Sequence, residues 1–292
     1  MRQTTIGRRV EGVGIGLHKG EPIKIVLEPL EANSGIVFYR SDLATSIPAL
    51  PQFVVNTQMA TVVGSGKASV STIEHLLSAI SAYGIDNIRI ILDGNEVPVM
   101  DGSSASFCMM LDEAGIRELE TSKKIIVIKK EIEVREGDKF SRVTPSKNPK
   151  YHFIIDFEHP CIGRQEYSYE VGKKSYLSDI SRARTFGFLK DVQMLRSAGL
   201  GLGGSLDNAV IMDEKKILNK DGLRFNNEFV RHKILDAIGD LALLGMPMIG
   251  DYDSFAGSHK LNHLLTKEIL KDPQNYEIKT FSGVAEFEKA FA

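Results

Sequence analysis

Three ionisable residues recur at intervals of four within Phe229–Gly245, FVRHKILDAIGDLALLG: His232, Asp236 and Asp240. On an α-helix this spacing places the three side chains along one face, beside a stripe of apolar residues. A histidine and a carboxylate four apart project together and can hold one metal ion from one side. The alternative is a solvent-exposed face with i,i+4 ion pairs. The metal hypothesis therefore requires a third ligand elsewhere in the chain.

A second segment, STIEH, provides a candidate for that ligand. His75 is one of seven histidines, and it follows Glu74 at the predicted start of a helix. Ser71 and Glu74 fit the S/T-x-x-E capping box, which by itself would explain the glutamate, and a lone histidine there is most often structural. Together, however, His75, His232 and Asp236 form the two-histidine, one-carboxylate set of hydrolytic zinc sites, whose fourth position is open to water. Glu74, next to a ligand, could accept the proton of that water.

The composition is that of an ordinary soluble globular protein. The chain has 292 residues, of which 42% are apolar and 25% charged, and its length favours two domains. A formal net charge of -2 provides no global field to attract nucleic acid or an anionic membrane. Cys108 and Cys161 lie far apart and in no motif, which indicates a reducing compartment. Because no signal peptide or membrane-spanning apolar run is found, a cytosolic location is expected.

Both halves of the sequence mix strands and helices, which predicts an α+β fold. In the first half, strands such as PIKIVLEPL precede a helix at about Ser71–Ala82 and a strand in NIRIILDG. The polar, aperiodic segment Arg117–Lys124 is the predicted boundary. The prediction is two similar domains, over residues 1–120 and 125–292. Each would be a layered strand and helix sandwich, with the active site between them.

The second half begins again with strands and continues with a helix at about Gly187–Ser197. The strand NAVIMD, the long helix containing His232 and a last helix near LNHLLTKEILKD follow. Between the first of these helices and NAVIMD, the segment Gly199–Gly204 fits the G-x-G-x-x-G pattern. A dinucleotide site needs a strand before this pattern and a helix after it. Since the order here is reversed, a helix C-terminus at Gly199 and a flexible loop are predicted instead.

Several segments resemble the UDP-3-O-acyl-N-acetylglucosamine deacetylase family: STIEH, SRARTFGF, GLGGSLDNA, DGLRFNNEFVRHKILDAIGDL and GSHKLNH. GVGIGLHKG and VPVMDGSS also fit, so the resemblance spans roughly residues 1–275. The combination of HKxxDxxGD with TxEH is highly specific. The resemblance implies a zinc amidase of lipid A biosynthesis that releases acetate from UDP-3-O-acyl-N-acetylglucosamine.

The resemblance also implies the roles of the reacting groups. His75, His232 and Asp236 would hold Zn²⁺, with Fe²⁺ as the alternative metal in the cell. Glu74 would be the general base. On the other side of the amide, His259 would be a cation that stabilises the oxyanion and protonates the leaving amine.

Further residues follow from the same resemblance. Asp240 would orient and charge His259, and Thr185 would help the metal to stabilise the oxyanion. Lys233 would contact the substrate, Phe157 would stack on the uracil, and Lys139 would lie near the diphosphate. In an apolar insertion near residues 186–205, three residues are predicted to line a passage for the 3-O-acyl chain: Phe186, Val192 and Leu195. Without the resemblance, this insertion would be interpreted as a helix packed on a core.

The expected partner is thus a lipid-bearing nucleotide sugar, with no nucleic acid and no transmembrane segment. A monomer is expected, and the acyl chain of the substrate allows transient contact with a membrane surface. One alternative is a zinc amidohydrolase acting on another N-acetyl sugar nucleotide. Another is a non-enzymatic structural zinc module that binds a nucleotide sugar or RNA. The open metal position and Glu74 favour an enzyme, because structural zinc sites are closed and need no base.

Overall fold

The computed structural model describes residues 1–197, 199–281 and 283 of the chain. The strands of its first half are β1 (Arg2–Ile6), β2 (Val10–Ile15), β3 (Pro22–Pro29), β4 (Ile36–Arg40), β5 (Thr45–Pro48), β6 (Val54–Asn56), β7 (Val62–Ser65), β8 (Ala68–Val70), β9 (Ile88–Leu92) and β10 (Ile116–Ser122). Those of the second half are β11 (Lys124–Ile128), β12 (Ile132–Glu136), β13 (Lys139–Thr144), β14 (Lys150–Phe157), β15 (Gly163–Glu170), β16 (Phe186–Phe188), β17 (Val210–Met212), β18 (Met248–Ile249), β19 (Asp251–Phe255) and β20 (Tyr276–Thr280). The helices are α1 (Glu74–Ala82), α2 (Ala105–Ala114), α3 (Lys173–Asp179), α4 (Leu189–Ser197), α5 (Glu228–Leu241) and α6 (His259–Lys271).

Each half contains a five-stranded sheet, and the two sheets have the same topology. The strand order is β2-β3-β9-β4-β5 in the first and β12-β13-β19-β14-β15 in the second. In both, the central strand is antiparallel to one neighbour and parallel to the other. One helix, α1 or α5, precedes the central strand in the chain, and another, α2 or α6, follows it. The predicted α+β class is confirmed.

Alternation of residue type determines which face of each sheet is buried. In β14, Tyr151, Phe153 and Ile155 are buried, whereas the residues between them are more exposed. In β3, Ile25 and Leu27 are fully buried on one face, and Val26 on the other face is buried as well. Helix α5 packs on β14 and β15. One hydrophobic core consequently runs through both halves of the chain.

Helices α1 and α5 pack directly on each other, and together they carry the candidate metal ligands. The helices approach closely at Gly239, where a Cβ atom would lie 2.0 Å from the backbone oxygen of Glu74. Only glycine permits this approach, because every other residue carries a Cβ atom. The first residue of α1 therefore lies against α5 beside Asp240.

The predicted start of the first helix is wrong. Helix α1 begins at Glu74, and its N-cap residue, Ile73, makes no side-chain cap bond. Ser71 Oγ instead donates to the backbone oxygen of Asn95 at 3.3 Å. The capping-box interpretation of Glu74 is thereby removed, and its carboxylate is available for another role.

Two other predicted elements differ from the structure. Arg117–Lys124 is not irregular, because most of it belongs to β10, which pairs with β1. Leu119 is the one buried residue of that strand, so apolar alternation could not reveal it. The helix predicted from Gly187 begins at Leu189, since Phe186–Phe188 forms β16 and pairs with β17.

Candidate active site

His75, His232 and Asp236, here called the ligand cluster, converge where α1 meets α5. One potential ligand atom of each lies within 4.8 Å of those of the other two. The Nε2 atoms of His75 and His232 lie 3.6 and 3.3 Å from Asp236 Oδ1. This oxygen is buried and has no hydrogen-bond partner among the described residues. An orphaned carboxylate oxygen between two imidazole nitrogens is the arrangement expected of a metal-ligand set.

Two further atoms of the ligand cluster, His232 Nδ1 and Asp236 Oδ2, are held by neighbouring groups. His232 Nδ1 lies 3.0 Å from the backbone oxygen of Ala183. Because a carbonyl oxygen only accepts, Nδ1 carries the proton and Nε2 offers a lone pair. Lys233 Nζ donates to Asp236 Oδ2 at 2.7 Å. Asp236 consequently presents Oδ1 as its free oxygen.

Charge and burial favour the protonation states that metal binding requires. Burial lowers the pKa of His232 to about 4, so its ring is neutral at pH 7. Burial alone would raise the pKa of Asp236, but His232 and Lys233 outweigh it and hold that pKa well below its usual range. A neutral imidazole beside an ionised carboxylate is ready to bind a cation.

The solvent-exposed alternative for this helix face is wrong. The relative exposure of His232, Asp236 and Asp240 is 1%, 4% and 1%. Ionisable groups this deeply buried need specific partners. The spacing of four residues therefore reflects a buried polar site and not a solvated helix face.

Glu74, Asp240 and His259 form a second group, here called the proton-transfer cluster, and one polar atom of each lies within 4.8 Å of the others. His259 Nδ1 lies 2.9 Å from Asp240 Oδ2, and His259 Nε2 lies 4.0 Å from Glu74 Oε1. Asp240 also accepts from Thr61 Oγ1 at 2.6 Å and from Asn262 Nδ2 at 2.9 Å. The N–H of Thr61 donates to Glu74 Oε2 at 3.1 Å. In contrast to Asp236, Asp240 thus has hydrogen-bond donors at both oxygens.

The proton-transfer cluster combines a cation with a carboxylate that accepts protons readily. Burial lowers the pKa of His259, but the charges of Asp240 and Glu74 outweigh it and raise that pKa to about 9. His259 is therefore an imidazolium at pH 7. Burial raises the pKa of Glu74 above its ordinary value. An acid and a base matched in this way can exchange protons with a bound substrate.

Both clusters face one cavity of about 220 Å³. Most of the residues predicted from the sequence line it, namely Glu74, His75, Phe157, Thr185, Phe186, His232, Lys233, Asp236 and His259. Asp240 lies behind His259 and does not line the cavity. A second cavity of about 510 Å³ shares Thr185 and Phe186 with the first, and Val192 and Leu195 line its wall.

Lys139 is the predicted site residue that the structure brings neither to a cluster nor to the walls of these cavities. It is exposed at the start of β13. The preceding strand ends at Glu136, which forms an ion pair with Lys260, the residue after His259. Lys139 therefore lies near the beginning of α6, outside the walls described above.

Sequence reasoning missed three groups that hold the clusters in place: the Ala183 carbonyl, Thr61 and Asn262. Asn262 follows His259 by three residues in α6, so helical spacing could have revealed it. Thr61 precedes Glu74 by thirteen residues and belongs to no motif. Its role depends on the packing of the β6–β7 connection against α5, which the sequence does not display.

Comparison with known proteins adds a family to this geometry. Residues 3–271 match the family described as UDP-3-O-acyl N-acetylglycosamine deacetylase. The chain is 69% identical over 294 residues to a UDP-3-O-acyl-N-acetylglucosamine deacetylase of Campylobacter fetus subsp. fetus, with 100% of both chains covered. Proteins of the same name from Campylobacter lari and Campylobacter jejuni subsp. jejuni are each 64% identical, again over 100% of both chains. The matched region contains both clusters and the two cavities.

Proposed function

The chain belongs to the UDP-3-O-acyl N-acetylglycosamine deacetylase family, and on this premise we propose that it deacetylates UDP-3-O-acyl-N-acetylglucosamine in lipid A biosynthesis. The reaction hydrolyses the N-acetyl amide and yields acetate and UDP-3-O-acyl-glucosamine. The observation that carries this proposal is that the ligand cluster and the proton-transfer cluster face the same cavity. Amide hydrolysis needs an activated water, stabilisation of the oxyanion and a proton for the departing nitrogen.

The family is metal-dependent, and the residues of the ligand cluster fit a zinc ion. Two imidazole nitrogens and one carboxylate oxygen are the protein ligands of hydrolytic zinc sites. The unpartnered Asp236 Oδ1 supports this assignment. Fe²⁺ uses a similar ligand set and is the alternative metal. When bound, the ion supplies Lewis acidity for the amide carbonyl and for the attacking water.

Glu74 and His259 would move the protons of the reaction. Glu74 Oε2 is held by the N–H of Thr61, which leaves Oε1 to accept a proton as water adds to the carbonyl carbon. His259 Nδ1 stays bonded to Asp240, while Nε2–H faces the cavity and protonates the amide nitrogen as the C–N bond breaks. Glu74 Oε1 lies 4.0 Å from His259 Nε2. Because this distance exceeds hydrogen-bond length, the proton taken from water would pass from Glu74 to His259 through one intervening water and restore the starting state.

Other cavity residues would bind and orient the substrate. Thr185 lines the main cavity, where its hydroxyl would donate to the oxyanion, and Lys233 would contact the sugar nucleotide. Phe157 lines both this cavity and a third one of about 420 Å³, which supports uracil stacking at that place. The cavity of about 510 Å³ would accommodate the 3-O-acyl chain against Val192 and Leu195.

Other expectations from the sequence stay predictions. We propose the domains at residues 1–120 and 125–292, although residues 284–292 lie outside the described part of the chain. The monomeric state, the cytosolic location and transient contact with a membrane surface also stay predictions, as does the role of Lys139. Within the described residues, no helix is long and apolar enough to span a membrane.

Acetate release from UDP-3-O-acyl-N-acetylglucosamine tests the proposal. Zinc-loaded protein should release acetate, and Glu74→Gln should lower kcat by about 10²- to 10⁴-fold, as expected for loss of a general base. The zinc content of the variant should equal that of the wild type. Failure of folded, zinc-loaded wild type to release acetate would contradict the proposal and direct attention to other N-acetyl sugar nucleotides.

Metal removal separates a catalytic site from a structural one. We expect chelated protein to keep its far-ultraviolet circular dichroism and to lose turnover, because the hydrophobic core runs through both halves without the ligand cluster. Added zinc should restore activity. Unfolding on chelation would instead favour the structural zinc module.

A further inference from the structure

Thr61 donates two hydrogen bonds, and each goes to a different carboxylate of the proton-transfer cluster. Its Oγ1 donates to Asp240 Oδ1 at 2.6 Å, and its backbone N–H donates to Glu74 Oε2 at 3.1 Å. The relative exposure of Thr61 is 1%, so water does not compete readily for these bonds. One residue thus joins the groups on either side of His259.

The bond to Asp240 decides which oxygen faces His259. Asp240 Oδ2 accepts from His259 Nδ1 and from Asn262 Nδ2, both at 2.9 Å. Asn262 is itself oriented, because its Oδ1 accepts from the hydroxyl of Tyr252 at 2.7 Å. Among the described residues, Thr61 Oγ1 is the donor to Asp240 Oδ1. Without that hydroxyl, a buried carboxylate oxygen would be unpaired and the carboxylate could rotate away from His259.

The bond to Glu74 selects an oxygen in the same way. Since Oε2 is occupied by the N–H of Thr61, Oε1 is the oxygen nearer His259 Nε2, at 4.0 Å. The preceding residues, Met59 and Ala60, line the main cavity. The segment that ends at Thr61 therefore forms part of the substrate cavity and also fixes both carboxylates behind it.

We propose that Thr61 is a positioning residue that aligns Glu74 and the Asp240–His259 pair for proton transfer. This inference rests on the proposed deacetylase function. Thr61 does not line the cavity and acts through the carboxylates that it holds. Its removal should consequently slow the chemical step while substrate binding and metal binding change little.

Two substitutions at Thr61 separate the hydroxyl from the rest of the side chain. Thr61→Val keeps the shape and the backbone N–H but removes the bond to Asp240, whereas Thr61→Ser keeps the hydroxyl and loses a methyl group. We expect Thr61→Val to lower kcat by about 10- to 100-fold, the range known for hydrogen-bonding partners of the ligands in metal sites. KM should change by less than about threefold, zinc content should be unchanged, and Thr61→Ser should recover most of kcat.

Thr5 offers a matched control. Its side chain is fully buried, and its hydroxyl donates to the backbone oxygen of Asn87 at 2.6 Å, away from both clusters. Thr5→Val should therefore lower the Tm without lowering kcat. Equal kcat losses in Thr61→Val and Thr61→Ser, or a kcat of Thr61→Val close to that of the wild type, would overturn the inference.

A measurement without turnover distinguishes failure of this inference from failure of the proposed function. The proton on His259 Nδ1 should give a downfield NMR signal because it is shared with a carboxylate. That signal should move in Thr61→Val and stay in place in Thr61→Ser and Thr5→Val. An unmoved signal in Thr61→Val would overturn the role of Thr61. Absence of acetate release by the wild type would contradict only the proposed function.

Discussion

The ligand cluster and the proton-transfer cluster both combine histidine with carboxylate side chains but are suited to different cations. Asp236 and Asp240 lie one helical turn apart on α5, and each faces a histidine. Asp236 has a buried oxygen without a hydrogen-bond partner, whereas Asp240 accepts from Thr61, Asn262 and His259. The first arrangement leaves room for a metal ion, and the second holds a proton on an imidazole.

The histidines show the same contrast. The ring of His232 donates to a backbone carbonyl, and burial lowers its pKa to about 4. The ring of His259 donates to a carboxylate, and its pKa rises to about 9, since Asp240 and Glu74 outweigh burial. The group bonded to Nδ1 is thus neutral for His232 and negatively charged for His259, and this charge contributes to the difference between the two buried histidines.

The largest effect is expected from removal of His259, the proposed acid. His259→Gln should lower kcat by about 10²- to 10⁴-fold without loss of zinc. Wild-type activity should fall as the pH rises through about 9, because the imidazolium is lost there. This decrease in activity at high pH should be absent from the variant. His263→Gln, one turn further along α6 and outside the main cavity, should retain activity. Loss of zinc from His259→Gln would place His259 with the metal ligands.

The contact that joins the clusters can be altered at Gly239. A Cβ atom there would lie 2.0 Å from Glu74 O, so Gly239→Ala should separate α1 from α5. We expect the free energy of unfolding to fall by about 1–3 kcal/mol, as for other overpacked sites, and kcat to fall with it. Denaturant titration measures the first effect. Gly172→Ala is a suitable control, because its Cβ would meet only the hydroxyl of Ser175, at 3.1 Å; equal destabilisation by both would contradict this account.

A smaller effect is expected outside both clusters. Leu195→Ala should reduce kcat/KM about tenfold for a long-chain substrate, because apolar contacts with the acyl chain are lost. A substrate with a short acyl chain should be affected much less. Met194 is the neighbouring residue of α4 and is 64% exposed, so Met194→Ala should leave both substrates unaffected. Equal losses for long and short chains would argue against an acyl passage at Leu195.

The sequence predicted the α+β class and named three candidate ligands that the structure brings together, because helical spacing and the family motifs are local features. The capping box predicted from Ser71 and Glu74 is absent. The Glu74 carboxylate instead accepts from the N–H of Thr61, which lies on the β6–β7 connection. Sequence reasoning also missed β10, whose residues are mostly exposed. Long-range packing determines these features, and no short segment encodes them.

Zinc content in matched aspartate variants tests the division between the clusters most directly. Asp236→Asn and Asp240→Asn are the same isosteric change, one helical turn apart. We predict that Asp236→Asn loses zinc, whereas Asp240→Asn keeps a full equivalent and loses turnover. The residual activity of Asp240→Asn should also begin to fall at a lower pH than that of the wild type, because His259 loses the neighbouring charge that raises its pKa. Equal zinc content in both variants, or loss of zinc from Asp240→Asn, would contradict the account.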